Sequence, residues 1–582
     1  AVVPANATVQ DVTFASSDAS VAFVDEWGEV LAKKAGTAEI TVSAGAFQKK
    51  ITVAVNEPGV MQTFNVTDAA SLLSALNSIS KIDKSQMTGN IVVNLAPGYY
   101  ALTETLKLNE SHGGNEKYSV IFRGSGDATI GGGIKISGSS FTKGENGIYV
   151  ANVPAGTKTR QLFVNDVRAV RARSEGPLTN ASTLMKNGTT VGMLCDNTEI
   201  AGYAHPDDVE FVFKHSYFHF RCGLDHAVTT SDGKIELYAD MPGWYYIQSF
   251  FNHFEQGPAE TLLYYENALE LLDEPGEWYL DEAASKLYYM PRSFEDMSTV
   301  TVTIPALDGL LRIEGTDYSH EVQNITFEGI TFADATWMRP TTKNGHPAAQ
   351  NNGIREWDTQ YDRDFMPDGT VMVKKANSVN FKDCTFARLG STGLFMTDSV
   401  KNSTISGNHF YDISGGGTAI GDLQYGHMRT NPVNNFNPRD PQKVMKNFDV
   451  TNNYIHNTGV DYFNSCGLSV GFAANVTISH NEIFDIPYSG ISIGNGWNCR
   501  FTNVQKNMKI KNNFIHDFMK DVYDGGAVYT VGNSGASVDK PNEVAYNYIS
   551  DMHNLYSPLY RDAGSTFWYD HHNVINLSQR ER

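Results

Sequence analysis

Apolar residues along this chain fall into short runs, and nearly all of the runs have the rhythm of strands. From about Val9 to Val55, segments such as Val12-Thr-Phe, Ala22-Phe-Val, Ala38-Glu-Ile-Thr-Val and Ile51-Thr-Val-Ala-Val alternate apolar with polar positions between turn residues, the pattern of half-buried strands. A small β-sandwich is expected over residues 1–56. Asn56-Glu-Pro-Gly59 reads as a connection, with residues 57–62 as linker. Behind a Thr67-Asp68 start, Ala70, Leu72, Leu73, Leu76 and Ile79 recur at helical spacing. This helix is expected to cap the open end of a long β domain, where strand edges would otherwise lie unpaired.

Ile91-Val-Val-Asn-Leu, Pro97-Gly-Tyr-Tyr and Val120-Ile-Phe-Arg-Gly are apolar runs closed by turn residues and read as first rungs of a solenoid. Longer aromatic β-type segments, such as Phe211-Val-Phe and Tyr217-Phe-His-Phe, then break the rhythm, which predicts a β-rich insertion over 160–305. From Asn324 onward one phrase returns: Asn408-His-Phe, Asn453-Tyr-Ile, Asn481-Glu-Ile, Asn513-Phe-Ile, Asn547-Tyr-Ile and Asn573-Val-Ile. Its spacing varies but its order does not, as in a solenoid with one coil per repeat. Asn suits the bends because it tolerates left-handed backbone and can stack in a hydrogen-bonded ladder. The fold class expected for residues 63–582 is all-β, a right-handed parallel β-helix.

A second phrase sets a register: Gly417-Thr-Ala-Ile-Gly421, Gly467-Leu-Ser-Val-Gly471 and Gly490-Ile-Ser-Ile-Gly494. Aligned on the first Gly, the position two residues earlier reads Ser391, Gly415, Ser465, Tyr488, Asp524, Asp562. The last two come from Asp524-Gly-Gly526 and Asp562-Ala-Gly564. Equivalent residues on neighbouring coils lie about 4.8 Å apart. Two carboxyls so placed would divide into a protonated acid and an ionised base or nucleophile, close to the about 5–5.5 Å of retaining glycosidases. Asp524 and Asp562 are therefore the expected catalytic pair. Asp517 stays beside them as a third candidate, although it shares its post-strand position with Asp412, Asp485 and Asp551, where a turn role is expected.

Tyr488, Trp497, Tyr529 and Trp568 are candidate sugar platforms, with His427 and Arg561 as candidate polar contacts. His571-His572 occupy adjacent strand positions that face opposite ways, and no metal or other cofactor is expected. The five cysteines lack metal-ligand spacing and read as small buried hydrophobes.

The net charge of −20 argues against nucleic acid or an acidic membrane as partner. No run is apolar enough to span a bilayer. An oligosaccharide or polysaccharide fits better. An export signal is expected to have been removed from the start, and further rungs or domains are expected beyond Arg582.

Two resemblances sharpen these expectations. SSDASVAFVDEWGEVLAKKAGTAEITVSAG resembles bacterial immunoglobulin-like group 2 domains, which implies an exported or cell-surface bacterial protein whose N-terminal module is a dispensable spacer with possible wall association. ENALELLDEPGEWYLDEAASKLYYMPR resembles a signature of large β-helix glycosidases, and CGLSVGFAANVTISHNEIFDIPYSGISIGNGW, DGGAVYTVG and LYRDAGS are similar to glycoside hydrolase family 141, which includes α-L-fucosidases and xylanases. That resemblance implies catalytic aspartates at Asp524 and Asp562. Family 136, the lacto-N-biosidases, is the second resemblance, and there Asp517 with Asp524 would be the pair. Two other classes stand beside a glycoside hydrolase: a polysaccharide lyase using Arg561 or Lys520, and a non-catalytic glycan-binding surface protein.

Overall fold

The structure is a computed structural model that describes residues 12–251, 257–357, 362–421, 437–497, 501–554 and 556–578. Residues 60–578 wind a parallel β-helix with three faces. Among the described residues the first face has 11 strands, from Val60–Val66 to Trp568–His571. The second has ten, from Gly98–Ala101 to Val574–Asn576, and the third nine, from Leu106–Leu108 to Leu559–Arg561. A typical coil runs Lys446–Thr451, Tyr454–His456 and Leu468–Val470, one strand to each face. Alternation turns every second side chain inward, and parallel register stacks like on like: Ile455, Ile483, Ile515 and Ile549 form one buried file. The predicted helix covers Ala69–Ile79, capped by Asp68, and its Leu72, Ala75, Leu76 and Ile79 close one end of the core.

The recurrent asparagines occupy the bend between first and second faces. Each side-chain amide from Asn408 through Asn547 donates to the Oδ1 of the next, at 2.9–3.0 Å, ending on Asn573. Each backbone N–H donates to the same oxygen at 3.0 Å. Losing one member would leave several buried polar groups unpaired, each costing about 1–3 kcal/mol.

The chain leaves the solenoid after Gly131, nearer the start than the predicted 160, and resumes the third face at Leu311–Glu314. A second excursion adds His346–Ala348 to the same inserted sheet through pairing with Phe218–Thr229. Insertion and solenoid meet over a buried charge cluster. Arg160 and Arg171 hold Glu210 at 2.6 and 2.9 Å, and Arg171 and Arg221 hold Glu266 at 3.2 and 2.5 Å. Arg168 reaches Asp412 and Asp461 on the solenoid at 2.5 and 3.2 Å.

The N-terminal module packs a three-stranded and a two-stranded sheet around Val21, Ala22, Val24, Ala38 and Ile40. The strand Val60–Val66 already belongs to the solenoid, so the connection is shorter than the predicted linker. The module, expected to be a dispensable spacer, is docked on the first face. Asp25, buried, accepts from Lys446 at 2.7 Å and Asn447 at 3.1 Å. Glu29 pairs with Lys446 at 2.9 Å, and Trp27 lies under Lys446 and Lys506. Asp25→Ala leaves Lys446 short of a buried counter-charge, so the module should loosen. Limited proteolysis should then cut the Asn56–Gly59 connection faster than in the parent; unchanged cleavage would show that docking does not rest on Asp25.

Candidate active site

Asp524 and Asp562 do lie on neighbouring coils, but their register differs from the one read in the sequence. Third-face pairing matches Val528 with Leu559, Tyr529 with Tyr560 and Thr530 with Arg561. Asp524 therefore precedes its strand and Asp562 follows its own. The true column after Tyr488 is Gly525 and then Tyr556. Ala527 and Pro558 stand where earlier coils carry the first Gly, and this shifted the alignment. The double glycine has a packing cause: a Cβ at Gly525 would lie 2.7 Å from the Tyr488 ring and one at Gly526 2.4 Å from the Ser557 carbonyl.

Two tyrosines connect the carboxyls. Tyr529 and Tyr560 are neighbours on the third face, ring centroids 5.2 Å apart. The Tyr560 hydroxyl donates to Asp524 Oδ1 at 2.7 Å, and that of Tyr529 donates to Asp562 Oδ2. Asp562 Oδ2 also accepts from Trp497 Nε1 at 2.9 Å, and its Oδ1 accepts from the Ala563 N–H at 2.7 Å. All three partners are donors, so Asp562 acts throughout as an acceptor. Burial raises the Asp524 carboxyl above the ordinary carboxylate range; the Tyr560 bond opposes this and the charge of Asp562 adds to it.

Asp524 sits in left-handed backbone, φ +69°, a conformation an aspartate adopts more readily than most residues. Its carbonyl accepts from Tyr488 Oη at 2.7 Å and Gln350 Nε2 at 3.1 Å, which secures that conformation. Tyr488 is 1% exposed, so it fixes Asp524 from beneath and offers no face to a sugar. Tyr529 is 2% exposed and works through its hydroxyl. Trp497 spends its N–H on Asp562 and Tyr529 and has the Arg355 guanidinium 5.5 Å from its ring.

The remaining described candidates are engaged with other partners. Arg561 bonds Asp570 and Thr530 and lies 5.1 Å over the Trp568 ring, a pairing at the last coil. Asp517 meets His553 at 2.5 Å and Lys520 at 3.6 Å, in left-handed turns shared with Asp485 and Asp551. Lys520 is also bonded to Asp485. His427 lies outside the described residues. Gln350, Tyr560 and Arg355 are not among the residues predicted from sequence. For Tyr560 a signal existed, because alternation from inward Leu559 turns it outward beside Asp562. Gln350 and Arg355 arrive from the second excursion and carry none.

Three family models match the chain: the bacterial Ig-like domain (group 2) over residues 1–55, the right handed beta helix region over 342–505 and the GH141 insertion domain over 252–292. No curated protein sequence matches significantly. A solved structure titled "Glycoside hydrolase" is similar at TM-score 0.71 and 24% identity, covering 89% of this chain and 95% of its own. A structure of XylC with xylose is similar at TM-score 0.41, 11% identity and 84% and 66% coverage, and PfbA, a surface adhesin of Streptococcus pneumoniae, at 0.34, 10% and 88% and 78%. The fold is thus a right-handed parallel β-helix behind an Ig-like domain, and the insertion domain supports glycoside hydrolase activity on it. No helix among the described residues is long and apolar enough to cross a membrane.

Proposed function

We propose that the protein is an exported glycoside hydrolase acting on a neutral glycan, α-L-fucosidase-like or xylanase-like, with Asp524 as general acid and Asp562 as its carboxylate partner. The observation that carries this is the pair itself: two carboxyls on adjacent coils, each on one of two neighbouring tyrosines, one of them raised by burial. A raised carboxyl holds the proton that a departing glycosidic oxygen needs, while an acceptor-only carboxylate can attack the anomeric carbon or activate water.

Lyase chemistry requires a cation to neutralise a uronate, and Arg355, the arginine that reaches the site, lies over the Trp497 ring and pairs with Asp364 at 3.7 Å. The two cations suggested for that role, Arg561 and Lys520, are occupied by Asp570 and by Asp485 and Asp517. Retention no longer follows from equal strand positions, because the carboxyls sit at opposite ends of their strands, and the product must decide. Screening fucosylated, xylan and milk-type glycans should release reducing sugar with one water oxygen incorporated and no ultraviolet-absorbing unsaturated product; the unsaturated product would overturn the reading in favour of a lyase. Proton NMR of the first-formed anomer then assigns Asp562, retention marking a nucleophile and inversion a base.

A further inference from the structure

Three tyrosines form a row beside the two carboxyls, two of them exposed. Tyr560, whose hydroxyl donates to Asp524, has the Tyr556 ring 5.8 Å away, and Tyr556 stacks on Tyr523 at 6.0 Å with planes 24° apart. Tyr523 and Tyr556 are each 38% exposed and stand on the bends that lead into two successive third-face strands. The row therefore runs along the bend before one coil's strand and crosses to the neighbouring coil, ending on Tyr523, the residue next to Asp524.

Tyr523 is also held from outside the solenoid. Its N–H donates to the Ser216 carbonyl at 3.0 Å, and the Ser216 hydroxyl bonds its phenol oxygen at 2.9 Å. Ser216 occupies the turn between Glu210–His215 and Phe218–Thr229, so the insertion reaches across to fix this one ring. Lys214 in the same hairpin pairs with Asp521 at 3.2 Å. Burial raises the Tyr556 phenol, and the charges of Asp524 and Asp562 add to this, placing the ring within the field of both carboxyls.

A rigid aromatic face in water beside an acid gains from covering by a flat apolar surface, and a phenol edge can meanwhile exchange hydrogen bonds with hydroxyls. A pyranose ring offers both. We propose that Tyr523 and Tyr556 form a subsite for the sugar unit adjoining the bond that is cleaved, so that the substrate class is an oligosaccharide or polysaccharide and not a simple monoglycoside. This inference rests on the assignment of Asp524 and Asp562 as the catalytic pair.

The test compares 4-nitrophenyl α-L-fucoside and β-D-xyloside with xylohexaose, 2′-fucosyllactose and lacto-N-tetraose, in the full chain and in Tyr523→Ala, Tyr556→Ala and Tyr556→Phe. Each alanine variant should lose roughly tenfold more kcat/KM on the oligosaccharide cleaved than on the nitrophenyl glycoside, and Tyr556→Phe, which keeps the ring, should recover most of it. Equal losses on both substrate types, or no loss, overturn the subsite. Calorimetric titration of the same oligosaccharides into Asp562→Asn, with and without Tyr556→Ala, separates the two readings. If the parent hydrolyses nothing but binding weakens without Tyr556, the hydrolase reading fails and the tyrosines are a glycan-binding surface with no cleaved bond beside them; if no oligosaccharide binds, the tyrosines are not a sugar subsite at all.

Discussion

Asp524→Asn and Asp562→Asn should each lower turnover by about 10³- to 10⁴-fold while leaving the protein folded. Neither side chain supports the core: both are half-buried on the outer surface of the third face, and Tyr488 and Gln350 hold Asp524 through its carbonyl, which asparagine keeps. The folded Asp524 carboxyl is raised above its unfolded value, so the native state binds the proton more tightly and stability falls as pH rises through the folded value. An asparagine does not ionise. Asp524→Asn should therefore be as stable as the parent at neutral pH, or more so, although nearly inactive. The parent should lose activity on the alkaline side as Asp524 gives up its proton, and residual activity in Asp524→Asn should lack that limb. Near-parent turnover in either variant would remove that residue from the mechanism, and Asp517 with Asp524 would be tested next.

The largest stability effect is expected at Glu266. It is 5% exposed and receives Arg221 at 2.5 Å, Arg171 at 3.2 Å and Arg160 at 3.5 Å. Glu266→Ala leaves Arg160 and Arg171 with Glu210 and leaves Arg221 only the charge of Asp461 in place of its direct partner, and breaking such a buried pair costs about 3–5 kcal/mol. Chemical denaturation should show an unfolding free energy lower by that amount, read as a lower midpoint at unchanged slope. Because Arg221 also donates to the Asp461 carbonyl on the solenoid, at 3.2 Å, the insertion should loosen as a body and slacken the Ser216 hold on Tyr523. An unchanged midpoint would mean that the cluster contributes nothing net. The cluster should lose its hold only in strong acid: burial raises the Glu210 carboxyl, but Arg160 and Arg171 more than offset it and leave it well below the ordinary range. Burial likewise raises Asp461, and Arg168 and Arg221 bring it down to about 2. A depressed carboxylate stabilises above its unfolded pKa, and that stabilisation is lost as pH falls through the folded value.

What was legible in the sequence is what repeats. Asn453, Asn481 and Asn513 mark one bend because each coil closes its own hydrogen bonds onto the next at the same place, and Gly467 and Gly490 mark one strand because little else fits under its neighbours. The capping helix is legible from its spacing, and Asp524 and Asp562 stand out by their glycines. Tertiary structure decided whatever depends on how unequal loops return to the wall. Asp562 follows its strand instead of preceding it, and the glycine phrase misplaces it because Ala527 and Pro558 stand before the strands Val528–Val531 and Leu559–Arg561 where earlier coils carry Gly. Tyr488 lies beneath Asp524 because Gly525 lets it pack there, and no local pattern distinguishes that ring from an exposed one. Gln350, Arg355 and Ser216 reach the site from excursions many residues away, and Asp25 buries its charge on Lys446 across two domains. A repeat determines the wall of the solenoid through contacts between like residues in successive coils, whereas the site is assembled from unlike segments whose meeting depends on the whole fold.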